Sequence, residues 1–301
     1  MERCGCRLSR THIRGGVNVS RRRNLEHHRR SLAEIRDIMN SMKTLAYMET
    51  RKLARFLDSQ TAVVRSIEVA AADFLSFHPD VLPEASEATT IFILIGAERG
   101  FCGDFNHAVL RHQASVPETL PSSAPALIAV GRKLHTLLEG DHRVAAWIDG
   151  VSVVEEVASV LNQLTDEIVS LQSRHGVIEV FCLYHGSADG VVTQRLLPPF
   201  ADLDRSQFHD SLAPALNLSP AAFLIDLTDQ YLFAVLHAML YTSLMMENHQ
   251  RVTHLEAAVR HLDDQSQDLA RQCNGLRQEE IIEEIEVILL NAASLDGEVG
   301  Q

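Results

Sequence analysis

The chain has 301 residues, enough for one large domain or two small ones, with 46% apolar residues, 5% aromatic residues and a formal net charge of −13. No run of about 18 apolar residues is present, which argues against a membrane-spanning helix, and the acidic balance argues against general binding to nucleic acid. The five cysteines are scattered and odd in number, which predicts reduced thiols in an intracellular compartment.

The charge is divided between the two ends of the chain. Residues 1–30 carry nine Arg and two Glu, a net charge of +7, whereas residues 247–301 carry twelve acidic residues and four Arg, a net charge of −8. Residues 1–20 lack the apolar core of a signal peptide, and their glycines disfavour an amphipathic helix. We therefore predict a disordered basic extension here, which serves docking or solubility. Cys4, Cys6 and His12 match no zinc-binding spacing.

Residues 21–78 predict one long helix with a coiled-coil seam. No proline lies between Asn24 and His78. Twelve positions follow a spacing of three and four residues, and ten of them are apolar: 35, 39, 42, 46, 49, 53, 56, 60, 63, 67, 70 and 74. An apolar seam that repeats every 3.5 residues is what two supercoiled helices require.

Residues 88–200 predict a small Rossmann-like α/β domain. Predicted strands are Ile91–Ile95, Ala126–Val130, Val144–Ile148 at an edge, Ile178–Tyr184 and Val191–Leu196. Predicted helices are Phe105–His112, Lys133–Glu139 and Val153–Gln172. The alternation of short apolar strands with helices is typical of a mainly parallel sheet.

The C-terminal part predicts a connector at residues 201–227, a second long helix at 228–293 and a tail at 294–301. Positions 252, 255, 259, 262, 266, 269, 273 and 276 of this helix form a seam in which only Ser266 is polar. Two half-seams at opposite ends of one chain most simply pack against each other. The predicted fold class is therefore α/β: an antiparallel coiled coil of long N- and C-terminal helices plus a small Rossmann-like α/β domain.

A glycine-rich motif follows the first predicted strand. It comprises Glu98, Arg99, Gly100, Phe101, Cys102, Gly103, Phe105 and Asn106. Its spacing matches neither the dinucleotide-binding fingerprint nor the phosphate-binding P-loop. Cys102 could act as a nucleophile, but no His and carboxylate lie in a recognisable arrangement with it. The structural alternative is that the glycines permit a tight turn and close packing of helix on sheet.

This motif resembles a signature of the gamma subunit of F-type ATP synthase, and the resemblance covers residues from about 20 to 295. Three further segments are similar to that family in the same order: Ile38, Met42, Lys43, Leu45 and Ala46 in the first helix, Leu196-Leu197-Pro198 after the last strand, and Asn274, Arg277, Gln278, Ile281, Glu284 and Ile285 near the C-terminus. The chain departs from the family at Glu49 and at Ile282, which replaces a threonine, so we interpret it as a divergent member. The family's usual first residue aligns near Val17–Val19, from which we expect the start of the chain to have been assigned too early.

The resemblance implies a non-catalytic rotating central stalk that couples ion flow through a membrane ring to ATP synthesis or hydrolysis. The implied partners are the hexamer of alpha and beta subunits, the epsilon subunit and the membrane ring of c subunits, and no cofactor or metal is implied. The implied location is the cytoplasmic face of a bacterial plasma membrane, as a peripheral subunit. Two alternatives stay open at this point: an enzyme that uses Cys102, and a stand-alone coiled-coil scaffold.

The resemblance also assigns roles to individual residues. It implies contacts with the catch loops of the beta subunits or coupling roles for Met42, Lys43, Arg251, Arg277, Gln278 and Glu284. It implies an apolar end that turns inside the hexamer's bearing, formed by Ile281, Ile285, Ile288, Leu289 and Ala292. The signature turn carries Glu98, Arg99, Gly100, Cys102, Gly103 and Asn106.

Overall fold

A computed structural model describes residues 5–82, 88–116, 125–186, 190–201, 203 and 215–298, with the backbone alone at 5–19 and 291–298. The long helices are α1, Gly5–Phe77, and α5, Pro220–Glu298. The strands are β1 (Thr89–Ile95), β2 (Ala126–Val130), β3 (Val144–Ile148), β4 (Ile178–His185) and β5 (Val191–Leu197), and the short helices are α2 (Phe105–Ser115), α3 (Arg132–Leu138) and α4 (Val157–His175). The chain divides into a helical unit, Met1–Lys43 with Leu255–Gln301, and a sheet unit, Thr44–His254.

In the helical unit, α1 and α5 pack antiparallel. Arg22 Nε lies 3.1 Å from Glu280 Oε2, and Arg36 Nη1 lies 3.4 Å from Asp263 Oδ1. Residue numbers therefore increase along α1 while those of the contacting residues decrease along α5. All seven predicted seam positions of α5 in this unit are buried or half-buried, which confirms that prediction. The pair of Arg22 with Glu280 joins the basic and acidic ends of the chain, so the division of charge along the sequence also favours this pairing.

The ends of both long helices differ from the boundaries predicted from the sequence. Helix α1 begins at Gly5, so residues 5–20 are helical where the sequence predicts a disordered extension. Glycine costs a helix about 1 kcal/mol, which does not stop one that has no proline. Helix α5 begins at Pro220, within the predicted connector, and ends at Glu298, within the predicted tail. Ser219 caps it by accepting the N–H of Ala222 at 3.3 Å. Residues 1–4, 202, 204–214 and 299–301 of the predicted segments lie outside the described residues.

The sheet unit contains one five-stranded sheet with the order β3-β2-β1-β4-β5. The first four strands are parallel, and β5 pairs antiparallel with β4. All five strands were predicted, with ends displaced by at most two residues, and β3 lies at an edge as expected. Central strand β1 is covered on both faces. Ile91 and Ile93 belong to the core that includes α4 and parts of α1 and α5, and Phe92 and Leu94 belong to the core under α2 and α3.

The predicted seam of α1 is partly wrong. Four of its positions are exposed: Ile35, Phe56, Val63 and Ala70. In the sheet unit the packed positions lie one residue later, at Leu57, Val64 and Ala71. A straight α-helix has 3.6 residues per turn, so a strict 3.5-residue repeat drifts around its surface by about 20° per heptad. The side chains in contact with the core therefore change along the helix.

Among the described helices, α5 contains an 18-residue window that is long and apolar enough to cross a membrane, and 39% of that window is buried. Buried helices of globular domains meet the same test. Tyr231, Val235 and Leu236 of α5 lie in the core of the sheet unit. The window by itself therefore does not define a membrane span.

Candidate functional site

The signature turn, residues 96–106 after β1, needs glycine for two different reasons. A Cβ on Gly96 would lie 2.6 Å from Leu134 Cβ and 2.7 Å from Asn106 Oδ1, so Gly96 allows α3 to approach. Gly103 has a φ of +58°, and a Cβ there would lie 2.0 Å from His254 Nε2 on α5. The structural alternative for the glycines, a tight turn with close packing, therefore agrees with the geometry.

Buried Glu98 ties the turn to the neighbouring strand ends. Its Oε2 accepts the backbone N–H of Arg132 at 3.0 Å and that of Gly150 at 2.7 Å, and its Oε1 pairs with the Arg132 side chain. Asn106 Oδ1 accepts the N–H of Ala97 at 2.8 Å, which closes the turn on itself. The side chains of Glu98 and Asn106 thus hold the backbone of the turn in place.

A buried ion pair docks the turn on α5. Glu247 accepts the N–H groups of Glu98 and Arg99, each at 3.2 Å, and pairs with Arg251. Arg251 Nε donates to the carbonyl oxygen of Gly100 at 3.1 Å. Its Nη1 donates to Asn248 Oδ1 at 2.6 Å, and its Nη2 lies 3.3 Å from Cys102 Sγ. The side chains of Glu247 and Arg251 are only 4% and 5% exposed, so this network is shielded from water.

Burial dominates the electrostatics of this network. It raises the pKa of Glu247, whereas Arg251 and the two backbone donors act in the opposite direction. Burial, together with the charge of Glu247, raises the pKa of Cys102 to about 12. The thiolate is the nucleophilic form of cysteine, so at neutral pH Cys102 is protonated and inert. The burial of the thiol therefore disfavours a nucleophilic role for Cys102.

Three residues that contact the signature turn or Arg251 were not predicted from the sequence: Glu247, Asn248 and His254. Glu247 lies four residues before Arg251, a spacing that places two side chains on one helix face. That spacing is visible in the sequence. It does not reveal that the pair faces inward, because an exposed pair has the same spacing.

The structure places the predicted partner-contact residues in different environments. Arg251, a predicted contact of the beta subunits, is 4% exposed and donates to groups within the sheet unit. A resemblance transfers a position along the helix, not the direction of the side chain. Arg277, Gln278 and Glu284 are exposed on α5, and Met42 and Lys43 are half-buried on α1.

The predicted bearing residues form an exposed apolar end of α5. Ile281, Ile285, Ile288 and Leu289 are 47%, 51%, 65% and 62% exposed. Ile282, which replaces the family's threonine, is also exposed, at 56%. The side chain of Ala292 lies outside the described residues.

Together these features define the class: an antiparallel coiled-coil subunit with a Rossmann-like domain, whose glycine turn is occupied by its own helix and not open as an active site. The profile of the ATP synthase family matches residues 21–295. The ATP synthase gamma chain of Desulforamulus reducens is 25% identical over 291 residues, which is 91% of this chain and 99% of that one. The gamma chain of Clostridium botulinum (strain Okra / Type B1) is 22% identical over 266 residues, 86% of this chain and 93% of that one.

The fold is also found in a solved structure. A chain of the Euglena gracilis mitochondrial ATP synthase, in a structure of OSCP/F1/c-ring, matches with a TM-score of 0.60 and 14% identity over 94% of this chain and 97% of that one. The chain belongs to the ATP synthase family, as a member of its gamma-chain group. It is a non-catalytic subunit of the central-stalk rotor, which confirms the prediction made from the signature turn.

Proposed function

We propose that α1 and α5 of this chain form a shaft that turns inside a hexamer of alpha and beta subunits and couples ion flow to ATP synthesis or hydrolysis. The observation that carries this proposal is the exposed apolar end of α5, Ile281, Ile285, Ile288 and Leu289. Exposed apolar residues grouped on one helix end indicate a surface that a partner covers.

The chemistry of this end suits a bearing. Apolar contact is non-directional, whereas a hydrogen bond is lost when its donor turns away from its acceptor. A shaft end lined by isoleucine and leucine can therefore be buried by the hexamer and still rotate without breaking many fixed bonds. Ile282 extends this apolar surface and removes a hydroxyl contact available to the family's threonine.

Polar contacts with the beta subunits are assigned in this proposal to Arg277, Gln278 and Glu284, which are exposed on α5, with Met42 and Lys43 on α1. An asymmetric shaft stabilises a different conformation in each beta subunit by differential contact free energy. Arg251 has a different role in this proposal: it holds the signature turn on α5 and makes no contact with a beta subunit.

We assign different binding partners to the two units. In this proposal the helical unit enters the hexamer, and the sheet unit binds the epsilon subunit and the membrane ring of c subunits. The complex is attached as a peripheral assembly to the cytoplasmic face of a bacterial plasma membrane. The bacterial source of the relatives supports this location.

The test is co-expression of the chain with alpha and beta subunits from the same genome, followed by purification and measurement of ATPase activity coupled to rotation. We expect a stoichiometric complex whose rotation is impaired by the double substitution Ile285→Gln and Ile288→Gln. The matched control is Val169→Gln, because Val169 is 55% exposed on α4, outside the proposed bearing. A chain that self-associates and does not join the alpha and beta subunits would favour the scaffold alternative and overturn the proposal.

A further inference from the structure

A cavity of about 10 Å³ lies beneath the signature turn, inside the sheet unit. Its lining is Ile95, Gly96, Val130, Val151, Leu240, Ser243, Leu244 and Glu247. It therefore lies where β1 and β2 end and α5 crosses them. A cavity of about 10–15 Å³ is the size that holds one water molecule.

The cavity is polar on the side of α5. Ser243 and Glu247 lie four residues apart on one helix face and are 2% and 3% exposed. Glu247 Oε1 faces three donors: the N–H of Arg99, the Arg251 guanidinium and, at 3.9 Å, the thiol of Cys102. Oε2 accepts the N–H of Glu98 at 3.2 Å. A carboxylate oxygen has two lone pairs, so Oε2 has capacity for a second donor.

We propose that this cavity binds a single internal water molecule, which donates a hydrogen bond to Glu247 Oε2 and accepts one from the Ser243 hydroxyl. Gly96 also lines the cavity, and its N–H already donates to Val130, so its carbonyl oxygen is the further partner that buried waters usually have. The water links α5 to the end of β1 and completes the solvation of the buried Glu247 carboxylate. The water site lies wholly within the sheet unit and does not depend on the proposed rotation.

Two variants separate a hydrated cavity from a dry one. Ser243→Thr keeps the hydroxyl and adds a methyl group. A methyl group that fills a dry cavity stabilises a domain, whereas one that displaces a bound water removes hydrogen bonds from buried groups. Ser66→Thr is the control for the helix preference of threonine, because Ser66 is exposed on α1 and its hydroxyl donates to the carbonyl of Ala62.

The experiment measures the melting temperature of the full chain and the density of the cavity in a crystal structure. We expect a water peak bonded to Ser243 and Glu247, and a melting temperature for Ser243→Thr about 2–4 °C below that of Ser66→Thr. The absence of electron density for a water in this cavity, in a map that shows ordered waters elsewhere in the same domain, would overturn the proposal. So would a Ser243→Thr chain that is as stable as the control or more stable.

Discussion

Replacing Arg251 by methionine tests whether the ion pair between Arg251 and Glu247 holds the signature turn on α5. The substitution keeps a long, unbranched side chain and removes the guanidinium. It leaves the Glu247 carboxylate buried, with its side chain only 4% exposed, and without its cation. Breaking a buried pair in this way costs about 3–5 kcal/mol, because the remaining buried charge has lost its counter-ion.

The assay is thermal unfolding followed by circular dichroism. For a domain of this size each kcal/mol lowers the melting temperature by about 2–4 °C, so we expect Arg251→Met to lower it by about 6–20 °C. The matched control is Arg260→Met, which removes Arg260 from Glu256 at 2.9 Å on the same helix, also four residues apart. That pair is 76% and 48% exposed, and an exposed pair contributes about 0–1 kcal/mol.

The pH dependence gives a second measurement on the same variant. Burial raises the pKa of Glu247, and Arg251 opposes that shift. Without Arg251 the pKa rises further, so the folded state favours the protonated carboxyl. The stability linked to this raised pKa is fully present when the pH is below the pKa of Glu247 in the unfolded chain. It is lost as the pH rises through the pKa of Glu247 in the folded chain. We therefore expect the decrease in melting temperature caused by Arg251→Met to be largest at neutral pH and to become smaller on acidification. A deficit equal to that of Arg260→Met, or one that grows on acidification, would refute this account.

Two further predictions concern the same turn. Gly103→Ala should lower the free energy of unfolding measured in urea. The left-handed backbone alone costs a residue with a Cβ roughly 1–2 kcal/mol, and we expect a larger loss because the new Cβ would lie 2.0 Å from His254 Nε2. The double variant Gly103→Ala with His254→Ala should regain the stability lost to the steric clash with His254. A double variant that is no more stable than Gly103→Ala would contradict that clash. Cys102, whose pKa is raised to about 12, should react slowly with iodoacetamide in the folded chain and rapidly after unfolding, as mass spectrometry of the labelled peptide can measure. Rapid labelling of the folded chain would show that the thiol is accessible.

The elements that sequence reasoning predicted well are those set by local patterns. The five strands are short apolar runs bounded by turns, and the seam of α5 repeats so regularly that all eight positions are buried or half-buried. The signature turn was located from its residues alone. The burial preference of a residue and the periodicity of apolar residues are patterns within short segments. They can therefore be recognised in the sequence without knowledge of tertiary contacts.

The parts that the sequence left undecided depend on which face of a helix meets a distant segment. The apolar positions of α1 include both Phe56 and Leu57, and the packing of the sheet unit selects Leu57. Arg251 and Arg277 both lie on the C-terminal helix, yet one is buried under the signature turn and the other is exposed.

The sequence by itself therefore determined which elements form, their order and the family, because these follow from local periodicity and from a motif that is contiguous in the chain. Only the tertiary structure decided that Glu247 and Arg251 close over the turn between β1 and α2. That contact joins residues about 150 positions apart, as the separation of 151 between Arg251 and Gly100 shows. The energy of a buried charge is fixed by the partners that the fold brings to it, and no local pattern encodes them.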